Sequence, residues 1–198
     1  MKENIVITYE YKELPEEIKE KIIENLRDIN VDYDWWDFII EDQQNQLKEY
    51  GISKADIQFT GFSLQGDGLS FTGTVDLIEL MDKTGLSKDY PRFYQLTKDE
   101  EIDASAYLTR IDHRYAHSKT VRLEVEYYRY AYDDYADDEE LVQQAEQIEE
   151  ALNEWRLDKC QEFYRQLEKS FEYLCTEEAV IETIEANEYQ FTIDGELF

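Results

Sequence analysis

An α+β fold, with an antiparallel sheet packed against helices and a long C-terminal helical hairpin, is predicted by three features of the sequence. Strand-like alternation recurs at 57–75 and again at 106–130. Apolar residues at mixed three- and four-residue spacing run from Leu141 to Leu174. The composition, 42% hydrophobic and 14% aromatic, supplies a core. A length of 198 residues suits one domain, 1–198, and no Pro/Gly/Ser linker divides it.

The elements follow in order. Ile5, Ile7 and Tyr9 alternate with Val6 and Thr8 as a short first strand. Pro15 suits a first helical turn, and Ile18, Ile22 and Leu26 form a stripe widened by Ile23. A second helix, capped by Asp32 or Asp34, carries Trp35, Trp36, Phe38, Ile39, Ile40, Leu47 and Tyr50, and Gly51 closes it in the left-handed region. Ile57 and Phe59 lead into Gln65-Gly66-Asp67-Gly68, and Leu69, Phe71, Gly73 and Val75 follow, which reads as a β-hairpin. Gly66 and Gly68 are expected at positive φ. A short helix is expected over Leu77–Met81 and a loop at Pro91. The strands of 106–130 turn near 115–118. A long helical segment then spans about 138–186, with Thr176 as an internal N-cap, before a closing strand over Tyr189–Ile193.

Charge narrows the function. Forty-eight acids stand against 20 bases, a net charge of −28. Phosphate contacts need local Lys and Arg, so nucleic acid and anionic membranes are poor ligands. A basic protein surface is the complement. Solubility or halophilic adaptation explains the same charge without a partner. Cys160 and Cys175, fifteen apart, do not make a secreted disulfide framework. The N-terminus lacks an apolar signal region, and no apolar run reaches the ~20 residues of a membrane span. A cytoplasmic protein is expected.

Catalytic signals are weak. The 65–68 turn lacks the spacing of a phosphate loop or a dinucleotide fingerprint, and is read as a hairpin turn or a loop presented to a ligand. His113 and His117 are the only histidines, and a metal shared with Asp67, Asp112 or Glu41 would need a third ligand at a diagnostic spacing. No cofactor or catalytic residue is assigned, and the chain is expected not to be an enzyme. Arg110, Arg114, Lys119 and Arg122 concentrate positive charge in 106–123. The segment 124–140 interleaves Tyr127, Tyr128, Tyr130, Tyr132 and Tyr135 with Asp133, Asp134, Asp137, Asp138, Glu139 and Glu140. Tyrosine provides contact area at low entropic cost, and spaced carboxylates can imitate a phosphate backbone. These eleven residues are the candidate partner-binding surface.

Several segments together resemble a phage-encoded family often labelled "antitoxin of toxin–antitoxin stability system". Its opening pattern is matched over 9–21, and an aspartate/tyrosine/tryptophan motif by Asp32–Trp36 with Glu41 and Asp42. The family motif SGFxSQGDGxxFxG is matched over 60–73, with Gly61, Phe62, Gln65, Gly66, Asp67 and Gly68 in place and departures at Thr60 and Leu64. A YxHS piece is matched by Tyr115 to Ser118, including His117, and the family's end by 186–195. The resemblance implies a phage origin and an accessory role in the host cytoplasm. Small acidic phage proteins of this kind include anti-CRISPR and anti-restriction inhibitors.

Charge and resemblance together give the expected function: an acidic inhibitor of a host nucleic-acid-binding defence protein. It would bind that protein's basic surface, touch neither nucleic acid nor membrane, and have an oligomeric state the sequence does not fix. Two alternatives stand beside it. One is an antitoxin neutralising a basic toxin, and the other a small-ligand- or metal-binding enzyme using the QGDG turn and the histidine pair.

Overall fold

The computed structural model describes residues 6–111, 114–128 and 138–198, the side chain of Tyr128 excepted. The fold is α+β, with two antiparallel sheets and a long helix near the C-terminus followed by another. Two compact units divide the chain, one formed by Met1–Asp37 with Leu167–Phe198 and the other by Phe38–Gln166.

In the first unit, β1 (Tyr9–Glu10) pairs antiparallel with β6 (Gln190–Phe191). The first strand is therefore shorter than its alternation predicts. Helix α1 (Glu16–Asn25) and helix α7 (Glu177–Ala186) supply Ile22, Val180 and Ile184 to a core shared with Tyr11, Leu14 and Phe191. The Thr176 hydroxyl accepts from Ala179 N–H and caps α7, as its sequence position predicts. Buried Asn30 donates to the Leu174 carbonyl at 3.1 Å and accepts from Thr183 Oγ1 at 2.6 Å, so its burial is compensated. Trp35 and Trp36 precede α2 (Asp37–Glu49) in a turn rather than riding on it, and meet edge to face.

The second unit is built on the sheet order β2-β3-β4-β5, from β2 (Ile52–Phe59), β3 (Leu69–Val75), β4 (Asp103–Arg110) and β5 (Val121–Tyr128). Helices α3 (Leu77–Thr84), α4 (Leu86–Asp89) and α5 (Pro91–Lys98) connect β3 to β4. Pro91 opens α5 as its first residue, where a missing N–H costs nothing, instead of marking a loop. Leu69, Phe71, Ala106, Val121 and Leu123 are buried, and Phe71 packs against Trp155 and Phe163 of α6 (Glu139–Leu174). The helical segment predicted over 138–186 is thus two helices, broken at Cys175-Thr176, where the cap of α7 replaces helical bonding.

An edge strand with free N–H and C=O groups invites pairing with other chains. Helix α6 covers that edge of β5. Asn153 accepts from Leu123 N–H at 3.0 Å and donates to the Leu123 carbonyl at 2.6 Å. Glu149 accepts from Val125 N–H at 2.9 Å and pairs with Arg122 at 2.6 Å. On the opposite edge, Gln44 of α2 donates to the Ala55 carbonyl. Among the described residues no helix is long and apolar enough to cross a membrane.

Candidate functional site

The motif loop is held from its own backbone outward. Thr60 N–H donates to the Gly68 carbonyl at 3.0 Å, and Gly68 N–H returns to Thr60 Oγ1. Asp67 Oδ2 accepts from Ser63 N–H at 2.8 Å and Leu64 N–H at 2.6 Å, so one carboxylate satisfies two turn donors. Phe62 packs between Phe59 and Tyr164, and the Tyr164 hydroxyl donates to the Gly61 carbonyl at 2.8 Å. Gly61, Phe62 and Asp67 therefore anchor the loop, while Leu64 and Gln65 are exposed at its tip.

Gly66 and Gly68 do not adopt the positive φ expected of them; the glycines that do are Gly51, Gly85 and Gly195. The requirement at Gly68 is space. A Cβ there would lie 2.8 Å from His117 Cδ2 and 3.3 Å from His117 Cα, whereas one on Gly66 would meet only Tyr115 at 3.9 Å. The loop between β4 and β5 spans ten residues, longer than the turn predicted near 115–118, because His117 starts a 3₁₀ turn over Ser118–Thr120. His117 Nδ1 accepts from Lys119 N–H at 3.1 Å, which leaves Nε2 to carry the ring proton.

The two loops thus meet at one end of the sheet. Asp67, His117, Ser118, Asp158 and Tyr164 line a cleft of about 300 Å³ between them and α6. The sequence offered Asp67 and His117 as partners in one alternative, and the structure brings them to this cleft. His113 lies outside the described residues. Among the described residues no group of three His, Cys, Asp or Glu side chains is placed to hold a metal.

Of the eleven acidic-junction residues, Tyr130, Tyr132, Asp133, Asp134, Tyr135 and Asp137 lie outside the described residues, as does the side chain of Tyr128. Tyr127 is half-buried and meets Phe93 edge to face at 6.2 Å. Asp138 accepts from Leu141 N–H at the start of α6 and pairs with Arg92, which also binds Glu140 at 3.0 Å. The Arg92 guanidinium, helped by the backbone N–H groups, holds the Asp138 carboxyl below its ordinary value. Two acids of the run are therefore engaged within the unit, while Glu139 is exposed.

A second acidic face was missed in the sequence. Glu146, Glu150, Glu154 and Asp158 are all exposed on α6, one every four residues, and no described cation pairs with them. Four residues rise about 6 Å, so the row covers about 18 Å of helix. Like charges at this spacing destabilise a helix by roughly 0.2–0.5 kcal/mol per pair, about 1 kcal/mol for the row. The four-residue repeat was the available signal, masked by the abundance of acids throughout the chain.

Residues 35–177 match the family described as "Domain of unknown function (DUF8835)". No curated protein and no solved structure matches the chain.

Proposed function

We propose that this chain, which belongs to the DUF8835 family, is a stoichiometric inhibitor that occupies the basic, nucleic-acid-binding surface of a partner protein. The observation that carries the reading is the row Glu146, Glu150, Glu154 and Asp158. Carboxylates that pair with no described cation, repeating along a helix, present fixed negative charge to a partner, much as a phosphate backbone does. Such a row costs helix stability, and a net charge of −28 adds long-range attraction to any basic surface. Glu139 and the acids of 133–137 extend the same sign of charge towards the start of the helix in sequence. The resemblance to a phage-encoded family supports a partner among host defence proteins that grip DNA or RNA. No step of this reading requires catalysis.

The test is capture from a bacterial host lysate on immobilised protein, with duplex DNA and RNA as competitors. The expected retained protein is basic, binds nucleic acid by itself, and is released by added nucleic acid. A retained protein with an acidic surface, or one that nucleic acid does not release, would overturn the reading. The antitoxin alternative predicts instead that the retained protein is a small basic toxin encoded beside this chain.

A further inference from the structure

We infer that the groove between α6 and the β4–β5 connection is a docking site for an acidic peptide segment, one carboxylate beside an apolar side chain. This groove, of about 630 Å³, is lined by Ile111, Lys119, Val121, Asn153, Arg156 and Leu157, with glutamates further up α6. Arg156 is the reason to expect an anion. Only 4% of its surface is exposed. Its Nη1 donates to the Ser118 carbonyl at 2.6 Å and its Nε to Asn153 Oδ1 at 3.3 Å, both neutral acceptors. No carboxylate pairs with it among the described residues.

Buried charges are ordinarily paired, because an unpaired ion in a low-dielectric site is costly. The cost is visible as a guanidinium pushed below its ordinary pKa by desolvation. The Cys160 thiol beside it supplies no counter-charge: burial pushes that thiol up to about 11, so it stays protonated at neutral pH. An incoming carboxylate would supply the missing charge.

The surroundings select the kind of anion. Lys119 is exposed and pairs with no carboxylate among the described residues. Arg122, by contrast, is already bound to Glu149. Ile111 and Leu157 are 63% and 38% exposed, an apolar surface beside the cationic end. Glu146 and Glu150 line the far end, six to ten residues up the helix and therefore about 9–15 Å away. They would repel a dianionic phosphate about twice as strongly as a single carboxylate at Arg156 and Lys119, and a polyanion more strongly still. An acidic peptide with a neighbouring leucine-like side chain meets every condition. The inference does not rest on the inhibitor reading, because it uses the cationic groups of the unit.

The experiment uses the full-length, isotope-labelled protein and three probes: Ac-Leu-Glu-Leu-NH₂, Ac-Leu-Gln-Leu-NH₂ and inorganic phosphate. The Arg156 Nε–H and the methyl resonances of Ile111 and Leu157 are followed by NMR titration. The glutamate peptide should shift all three saturably, binding roughly tenfold tighter than the glutamine peptide, since a hydrogen bond between charged groups is the stronger kind. Lys119→Gln, an exposed change that leaves the fold intact, should weaken the glutamate peptide by roughly two- to fivefold. Three results would overturn the inference. They are equal responses to the two peptides, phosphate moving Arg156 as strongly as the glutamate peptide, and no response to any probe at millimolar concentration.

Discussion

The paired substitutions Gly68→Ala and Gly66→Ala test how the motif loop is built. Both glycines lie outside the left-handed region, so backbone strain does not separate them. Space does. A methyl on Gly68 would sit 2.8 Å from His117 Cδ2 and 3.3 Å from its Cα. The imidazole cannot simply swing away, because its Nδ1 is tied to Lys119 N–H and its backbone carries the Ser118–Thr120 turn. Overpacking of this kind costs about 1–3 kcal/mol. A methyl on Gly66 meets only the Tyr115 ring at 3.9 Å, ordinary contact. There the loss of unfolded-chain freedom should stabilise by about 0.4–1 kcal/mol. The two variants should therefore differ by about 1.4–4 kcal/mol. With a urea slope of about 2 kcal/mol per molar, the difference is about 0.7–2 M in transition midpoint. Urea denaturation followed by tryptophan fluorescence, to which Trp155 packed on Phe71 contributes, is the assay. Coincident midpoints for the two variants would refute the contact with His117 as the reason for Gly68.

Three further outcomes follow from the packing. Asn153→Leu removes both hydrogen bonds to Leu123 and the one from Arg156, and should destabilise by roughly 2–4 kcal/mol and promote association through the uncovered β5 edge, read by denaturation and light scattering. The depressed Asp138 carboxyl contributes stability present above the ordinary aspartate range and lost as pH falls through its lower folded value. Arg92→Gln should therefore be less stable than the parent at pH 6, with the difference shrinking as pH falls below the ordinary aspartate range, in denaturation curves at a series of pH values. Cys160 is buried with its thiol pushed up to about 11, so iodoacetamide at pH 8 should label half-buried Cys175 first and reach Cys160 only after unfolding, by peptide mass mapping.

The fold class was legible because the signals for it are local. Strand alternation at 57–75 and 121–127, the helical spacing after Leu141 and the Thr176 cap are properties of neighbouring residues, and each produced its element. The glycine at 51 likewise ends its helix at positive φ. Pro91 was misread because proline breaks a helix from within but opens one at its first position, and only the connection between β3 and β4 decides which applies. The tryptophan pair fell outside α2 because apolar residues before a helix look the same as apolar residues on it.

The site was legible in part. The motif residues could be named, and the grouping of Asp67 with His117 was already open as an alternative. The geometric reason for Gly68 could not be read, because its constraint comes from a histidine 49 positions away in the chain. Arg156 and Asn153 were invisible for the same reason: on α6 they look like surface polar residues, and only the return of β5 and the Ser118 turn makes them structural. Arg92 drew no notice in sequence, yet it binds two members of the acidic run.

The claim that the carboxylate row of α6 meets a basic partner is tested most directly by association kinetics of the captured partner. The parent and Glu146→Gln/Glu150→Gln/Glu154→Gln/Asp158→Asn are compared between 0.05 and 1 M salt, taken as about the range over which screening becomes nearly complete. All four side chains are exposed and free of described ion pairs, so the variant should fold as the parent does. The account predicts that the variant associates about tenfold more slowly at low salt, that the two rates converge near 1 M, and that dissociation changes little. Equal association rates at every salt concentration would contradict it.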